Sequence, residues 1–291
     1  MKVIVSKKHN YPKYGHIHTI LNFTSFLSPE RRVDVWLPED YNTDIPHAVL
    51  YMHDGQNLFN PALGFHGQIW AVDNAIQALL YQNSIKPTII VGIWNTPLRY
   101  QEYLPAPAFN LLPADYKLHL KGEHNNPDLE PLSDSYLAFI VKELKPYIDK
   151  NYSTLRGPED TVIMGSSMGG LISAYALACY PQVFGGAGCL STHWPLSLHE
   201  QNDLNFSNPY IHWLEKNLPK AGKHNLYFDF GTETIDKPYE LHQQQIDQLM
   251  KKLGYTEGEN WITVKDEGAA HNEEAWRNRV HLPIEFLLRK R

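Results

Sequence analysis

The stretch TVIMGSSMGGLISAYALACY, residues 161–180, decides the fold of this chain because its character changes within a few residues. Thr161 to Met164 form a short run of apolar and β-forming residues, which indicates a buried strand, and the residues ISAYALACY read as a helix. Glycines and serines stand between the two. A buried strand that passes directly into a helix is half of a β-α unit, so this stretch predicts a parallel sheet.

Strand and helix patterns alternate along the rest of the chain. Apolar or β-branched runs predict strands at 31–38, 47–54, 88–94, 161–166, 185–191, 225–231 and 261–267. Helical periodicity predicts helices at 69–82, 135–149, 240–253 and 272–289, the last interrupted by Pro283. This alternation predicts an α/β fold, with a mostly parallel, doubly wound central sheet and helices on both faces.

The chain is expected to form a single α/β domain over residues 1–291. The first two predicted strands are joined by the short turn EDYNTDIP, which predicts an antiparallel edge at the N-terminal side of the sheet. The one long irregular stretch, residues 95–132, is rich in Pro, Asn and charge. In a compact domain a stretch of this kind is usually functional, so we expect it to be an active-site loop insertion.

Composition excludes several classes of protein. Hydrophobic residues make up 43% and charged residues 20% of the chain, which is typical of a globular protein. The net charge is −6 and no basic block stands out, so nucleic acid is not an expected partner. No apolar run is long enough for a membrane span. The first residues, MKVIVSKKHN, lack the apolar core of a signal peptide, which favours a cytoplasmic location. The alternative is a signal peptide that was removed from the sequence beforehand. The sequence does not determine the oligomeric state.

The glycine-rich turn matches G-x-S-x-G, with Ser167 in the central position. In this pattern a serine sits on a sharp strand-to-helix turn, in an unfavourable backbone conformation that exposes its hydroxyl above the sheet. The residues two before and two after it approach closely and must be small, as Gly165 and Gly169 are. Ser166 would instead be flanked by two methionines. The pattern therefore predicts that Ser167 is a nucleophile.

A nucleophilic serine needs a base and an acid, which follow it along the chain in the order serine, acid, histidine. His271 follows the last predicted strand and precedes a helix start, which is where the base is expected. The loop after the strand NLYFDFG carries two candidate acids, Asp236 and Glu233. We favour Asp236 because it lies further into the turn, and Glu233 remains the alternative. The acid would hold the imidazole in one tautomer and stabilise its charged form.

An oxyanion hole needs two backbone N–H donors. Met168, the residue after the nucleophile, supplies one, and Gln56 in the loop YMHDGQNLF is the predicted second donor. A rival interpretation of this loop makes His53 and Asp54 a metal pair; adjacent residues seldom share one metal, and no metal is predicted.

Five further residues are candidates for binding substrate. Arg99 has two possible partners, an acidic group of a substrate or Glu102 nearby, and the pairing with Glu102 is favoured. Trp194 is as typical of a packed core as of a site. The candidates are Asp54, Arg99, Tyr103, His193 and Trp194.

Four motifs in this order, YMHDGQNLF, IMGSSMGGL, DFGTETID and GAAHNEEAW, resemble the putative-esterase family of α/β-hydrolases over roughly residues 15–290. That family includes esterase D and the siderophore, feruloyl and acetyl-xylan esterases, together with the mycolyltransferases. The resemblance implies a nucleophile at Ser167, a base at His271 and an oxyanion N–H at Gln56. Some members carry the acid three residues after the glycine that ends the strand, which here is Thr234, so both candidate acids stay open.

The residues and the resemblance together lead to one expected function and two alternatives. The expected function is hydrolysis of a small-molecule carboxylic ester by a Ser-His-Asp triad through an acyl-enzyme, with no cofactor. The first alternative is transfer of the acyl group to an acceptor other than water. The second is a catalytically silent binding module on a hydrolase scaffold. The natural substrate is not determined by the sequence.

Overall fold

A computed structural model describes residues 3–6 and 11–290 of the chain. The prediction of a cytoplasmic location rests on the first ten residues, which lie outside the described part apart from Val3–Ser6. Within the described part, no helix combines the length and apolar character that a membrane span requires.

The described residues form one nine-stranded mixed sheet, in the spatial order β1-β2-β3-β5-β4-β6-β7-β8-β9. In chain order the strands are β1 (Val3–Ser6), β2 (His16–Phe23), β3 (Arg31–Leu37), β4 (Ala48–Met52), β5 (Thr88–Ile93), β6 (Thr161–Ser166), β7 (Gly186–Leu190), β8 (Asn225–Gly231) and β9 (Trp261–Asp266). All seven predicted strands are present within a residue or two of their expected bounds.

The N-terminal edge of the sheet is antiparallel, as predicted, but its pairing differs from the prediction. We expected the first two predicted strands, now β3 and β4, to pair with each other. Instead β3 lies between β2 and β5 and is antiparallel to both, whereas β4 is parallel to β5 and β6. The turn at 39–46 therefore carries the chain past β5 into the centre of the sheet, and the additional edge strands are β1 and β2.

In spatial order, the six strands β5, β4, β6, β7, β8 and β9 are all parallel to one another. Parallel strands that are neighbours in a sheet place their carboxyl ends along one edge. The loops that follow β4, β6, β8 and β9 carry the catalytic candidates, so the topology brings these loops to the same edge of the sheet.

Helices cover the sheet, including two segments that the sequence patterns missed. The segment 95–132, expected to be irregular, contains three short helices, and the helix at 204–217 was not predicted. The predicted helix at 135–149 is present with a π-helical turn at Ile140–Leu144. The helices are α1 (Val72–Tyr81), α2 (Arg99–Tyr103), α3 (Ala106–Asn110), α4 (Ala114–Glu123), α5 (Ser133–Phe139), α6 (Lys145–Asn151), α7 (Met168–Cys179), α8 (Leu204–Asn217), α9 (Tyr239–Lys252), α10 (Glu273–Arg279) and α11 (His281–Leu288).

Two buried apolar layers show that both faces of the sheet are covered. Successive side chains of a strand point to opposite faces. Along β4, Val49 and Tyr51 belong to one layer, whereas Leu50 and Met52 belong to the other. The first layer includes residues of α7, and the second includes residues of α1 and α11. The α/β prediction, with a mostly parallel sheet between two sets of helices, is confirmed.

Candidate active site

The turn between β6 and α7 holds Ser167 in a conformation that L-residues rarely adopt, with φ 58° and ψ −122°. The strained backbone predicted from the G-x-S-x-G pattern is therefore present. A Cβ on Gly165 would lie 3.0 Å from the backbone of Gly169, a tight contact that favours glycine at position 165. A Cβ on Gly169 would have its nearest contact at 3.5 Å, an ordinary van der Waals distance. The size of the residue at position 169 is therefore less restricted than we expected.

His271 lies on the loop after β9, beside Asp236 from the loop after β8. Its Nδ1 is 2.5 Å from Oδ1 of Asp236, and the Asp236 side chain is fully buried. The backbone N–H of His271 also donates to Oγ1 of Thr234, at 2.9 Å. With Nδ1 engaged by a carboxylate, Nε2 is the ring nitrogen left for another partner.

Glu233, the alternative acid, occupies a different environment. It is exposed and lies 3.7 Å from Nζ of Lys237, one helical turn along the chain. The short 3₁₀ turn Thr234–Asp236 directs the two carboxylates differently, since Asp236 is buried and Glu233 faces solvent. Geometry therefore favours Asp236 over Glu233 as the partner of His271.

Asp236 is held in its charged form by hydrogen bonds. Burial would raise the pKa of this carboxyl, but the bonds to His271, to the Ser191 hydroxyl and to the Gly231 N–H outweigh burial and lower the pKa below its ordinary value of 3.8. The bonds from Ser191 and Gly231 both reach Oδ2, at 2.6 Å and 2.7 Å. An ionised acceptor therefore faces Nδ1 of His271, which favours the tautomer with a proton on that nitrogen.

Two backbone N–H groups near Ser167 stand at helix starts. Met168 is the first residue of α7, and Gln56 is the second residue of the 3₁₀ helix Gly55–Asn57. N–H groups in the first turn of a helix have no acceptor within that helix, so they can serve an outside oxygen. A Cβ on Gly55 would lie 2.7 Å from the backbone of Gly92, so glycine is needed for the loop to pack this closely against β5.

Ser167, His271 and Gln56 line one cavity of about 320 Å³. The other lining residues combine aromatic side chains with polar and charged ones: His53, Asp54, Asn57, Phe65, Trp70, Asn95, Arg99, Ser166, Glu273 and Trp276. The segment 95–132 contributes Asn95 and Arg99 to this wall.

Arg99 pairs with Asp54, not with Glu102 as predicted. Its Nε and Nη2 each lie 2.7 Å from a different carboxylate oxygen of Asp54, and Asn95 donates to Oδ1 of Asp54 at 2.7 Å. Glu102 turns inward to Arg31, with which it forms a fully buried ion pair at 2.5 Å. Burial would raise the pKa of Asp54, but the Arg99 guanidinium and the Asn95 amide lower it overall.

Three of the predicted substrate contacts lie behind the cavity. Tyr103 is buried and accepts the N–H of Asp54 at 3.2 Å, so it supports the loop that follows β4. His193 is buried with its Nδ1 2.5 Å from the Tyr239 hydroxyl, and burial lowers its pKa to about 3. Trp194 is in the core, where its indole N–H donates to Gln243. None of the three lines the described cavity, so the geometry gives them packing roles.

Several cavity residues were missed by the sequence analysis. Phe65 and Trp70 follow the loop that carries Gln56, and Glu273 and Trp276 stand two and five residues after His271. Their closeness in sequence to predicted site residues was the available signal. Glu273 accepts a hydrogen bond from Asn57 at 3.1 Å, and burial raises the pKa of its carboxyl.

The metal interpretation of His53 and Asp54 has no geometric support. His53 places Nδ1 2.7 Å from the Tyr136 hydroxyl, and Asp54 is engaged by Arg99 and Asn95. Across residues 3–6 and 11–290, no group of three or more His, Cys, Asp or Glu side chains is arranged to hold a metal ion.

A family model described as "Putative esterase" matches residues 24–281. The chain belongs to this family. The uncharacterized protein YbbA of Bacillus subtilis is 26% identical over 268 residues, which cover 89% of this chain and 93% of YbbA.

Solved structures show the same fold at low identity. The enterobactin esterase FES of Shigella flexneri superposes with a TM-score of 0.67 at 16% identity, covering 93% of this chain and 59% of FES. An IroE-like serine hydrolase of Shewanella oneidensis gives a TM-score of 0.65 at 20% identity, covering 92% and 79%. A ferulic acid esterase of the fungus Anaeromyces mucronatus gives 0.57 at 19% identity, covering 94% and 92%. This esterase-family chain therefore spans little more than half of FES.

Proposed function

We propose that this protein is a serine esterase that hydrolyses a small-molecule carboxylic ester through an acyl-enzyme. Ser167 is the nucleophile, His271 the general base and Asp236 the acid that orients the imidazole. The observation that carries the proposal is the arrangement around one cavity. Ser167, on a strained turn, and His271, bound through Nδ1 to a buried carboxylate at 2.5 Å, both line it.

In the first half of the reaction, Oγ of Ser167 attacks the ester carbonyl while Nε2 of His271 takes the hydroxyl proton. The carbonyl oxygen becomes negative and is bound by the N–H groups of Gln56 and Met168. Asp236 stabilises the imidazolium that forms, because its carboxylate accepts the Nδ1 proton in a hydrogen bond between charged groups. The imidazolium then gives its proton to the departing alcohol, and the acyl group remains on Ser167.

In the second half, water replaces the alcohol. His271 takes a proton from the water molecule, which attacks the acyl carbonyl, and the same two N–H groups bind the new oxyanion. Ser167 leaves with the proton that His271 returns, and the carboxylic acid is released. Every step uses side chains and backbone groups of the described residues, so the proposal requires no cofactor.

Labelling with a fluorophosphonate probe tests this function directly, because the probe reacts covalently with an activated serine. We expect the probe to label the wild-type protein on Ser167, and p-nitrophenyl acetate to be turned over in proportion to the unlabelled fraction. A folded wild-type protein that neither takes the probe nor hydrolyses the ester would support a silent binding module. Faster p-nitrophenol release on addition of alcohols would support an acyltransferase.

A substrate panel distinguishes the ester classes. The enterobactin esterase and the ferulic acid esterase with the same fold suggest two of its members. We propose comparing kcat/KM for p-nitrophenyl esters of increasing acyl length, feruloyl esters, acetylated sugars and a catecholate siderophore. The class with the highest kcat/KM defines the substrate preference, because this ratio measures binding of the transition state.

The pH profile of ester hydrolysis should show a single protonation on its acidic side. The base must be neutral, so kcat/KM should fall as His271 gains its proton with decreasing pH. The pKa of Asp236 lies below 3.8 and that of His53 is lowered to about 3 by burial, so neither contributes from about pH 4.5 upwards. Burial raises the pKa of Glu273, which also lines the cavity, but Glu273 takes no part in the proposed proton transfers. A plot of log(kcat/KM) for p-nitrophenyl acetate against pH should therefore rise with a limiting slope of one.

His193→Asn is the matched control for the pH profile, because it removes a buried imidazole that does not line the cavity while keeping a polar atom near Tyr239. His193→Asn should keep the same rise of log(kcat/KM) with pH, whereas His271→Ala should hydrolyse too little p-nitrophenyl acetate for the rise to be measured. A transition that disappears in His193→Asn would contradict the assignment of the base. A limiting slope of two would show that a second cavity group such as Glu273 must also lose its proton.

A further inference from the structure

Ser191 is the first residue after β7 and is fully buried between the nucleophile turn and the loop that carries Asp236. Its backbone φ is 38°, an unfavourable value for a residue with a side chain. The Ser191 N–H bonds to the backbone oxygen of Asp229, at 2.9 Å, and to Oδ1 of its side chain, at 3.0 Å. These two bonds hold the backbone of Ser191 against β8.

The surroundings of the Ser191 hydroxyl determine where its proton points. Nε1 of Trp276 lies 3.0 Å from Oγ, and Nη2 of Arg279 lies 2.9 Å from it. Indole and guanidinium nitrogens only donate hydrogen bonds, so Oγ must accept both. Its single proton is left for the third neighbour, Oδ2 of Asp236 at 2.6 Å. The hydroxyl therefore donates to Asp236 and to no other group.

Two donated hydrogen bonds should strengthen the one that the hydroxyl makes. Hydrogen bonds in a chain polarise one another, and the effect is greater in a buried environment. Arg279 is a cation, and it also pairs with Asp229 at 3.1 Å and with Asp266 at 3.1 Å. The charge of Arg279 therefore polarises the Ser191 hydroxyl, which donates to Asp236. Arg279 acts on Asp236 through this hydroxyl and not through an ion pair that would compete with His271.

We infer that Ser191 is a positioning residue for the triad acid. Its hydroxyl accepts hydrogen bonds from Trp276 and Arg279 and donates its own proton to Oδ2 of Asp236. Oδ1 of Asp236 is therefore left for His271. This inference rests on the proposed esterase function. Ser191 itself does not line the cavity, although its donor Trp276 does. Trp276 is also held by ring contacts with Trp70 and His271, so the loss of the Ser191 hydroxyl should disturb the orientation of His271 mainly through Asp236.

Replacing Ser191 with alanine removes the bond to Asp236 and should lower kcat for p-nitrophenyl acetate by about 10- to 100-fold, the range expected for losing a hydrogen bond to a charged group. KM should change by less than about threefold, since no substrate contact is lost. Ser191→Gly also removes the hydroxyl but accepts the positive φ readily, so it tests the same bond if the alanine variant folds poorly.

A double-mutant cycle with Asp236 separates a positioning role from a structural one. If Ser191 acts through Asp236, adding Ser191→Ala to Asp236→Ala should lower kcat no further. Ser173→Ala is the matched control: Ser173 is also fully buried, but its hydroxyl bonds to the Gly169 carbonyl of its own helix at 2.7 Å, and kcat should stay within about threefold.

Three results would overturn the inference while leaving the esterase function in place. They are a nearly unchanged kcat in both folded Ser191 variants, a loss that adds fully to that of Asp236→Ala, and an equal loss in Ser173→Ala. A wild-type protein without esterase activity would instead overturn the proposed function itself. Circular dichroism and the thermal midpoint of each variant show whether the compared proteins are folded.

Discussion

Replacing Ser167 with alanine is expected to lower kcat for ester hydrolysis by about 10³-fold or more. The alanine variant lacks the oxygen that forms the acyl-enzyme, so only binding and the oxyanion hole can still accelerate attack by water. The β-carbon remains, so the strained turn with φ 58° and the packing around it should be unchanged. Steady-state kinetics and fluorophosphonate labelling of the same preparation measure the loss of activity and the loss of the reactive group together.

Ser166→Ala is the control for this prediction. Ser166 is the preceding residue and also lines the cavity, but it is the last residue of β6 and has a strand conformation. It should keep most of the activity and take the probe. If instead Ser166→Ala were inactive and Ser167→Ala active, the interpretation of the G-x-S-x-G pattern would be wrong.

The local geometry of the candidate site agrees with the sequence prediction where a short pattern determines it. The turn around Ser167 is an example, because the strand, the glycines and the helix all lie within one short stretch and only a strained conformation satisfies them. His271 could be placed by chain order, since it follows the last strand of a parallel sheet. Both predictions need only the order of the elements, not their packing.

The parts that the sequence predicts poorly depend on contacts between distant segments. The position of β4 between β5 and β6 cannot be read from the turn at 39–46, because strand order in a sheet is decided by the packing of the whole chain. Arg99 could pair with Glu102 nearby or with Asp54, and the choice depends on Arg31, which reaches Glu102 from β3. Trp194 is apolar and large, so its sequence context could not separate the core from the cavity.

The choice between Asp236 and Glu233 is of the same kind. Both carboxylates lie on one short loop, and the sequence favours Asp236 only through its distance from Gly231. The 3₁₀ turn at Thr234–Asp236, with Thr234 at φ 54°, buries one side chain and exposes the other. The positive φ of a threonine has no signal in the sequence, since β-branched residues rarely adopt it.

Asp236→Asn is expected to lower kcat by about 10²- to 10⁴-fold, with little change in KM, as in other triads that lose the orienting acid. Glu233→Gln should cost about tenfold or less, because Glu233 is exposed and its ion pair is with Lys237, which is itself exposed. The two changes are chemically matched, since each replaces a carboxylate with its amide. A larger loss in Glu233→Gln would assign the acid to Glu233 and leave Ser167 and His271 in their roles.

The size of the effect follows from the donors around Oδ2 of Asp236. Gly231 N–H and the Ser191 hydroxyl both donate to that oxygen, so the NH₂ group of an asparagine cannot occupy its place without facing two donors. The amide must therefore turn its NH₂ toward Nδ1 of His271. That nitrogen then has to accept, the ring proton moves to Nε2, and the nitrogen that should take the Ser167 proton already carries one. Asp236→Asn should thus preserve the fold and the cavity while holding His271 in the tautomer that cannot act as base, and a lowered kcat with an unchanged thermal midpoint would show this.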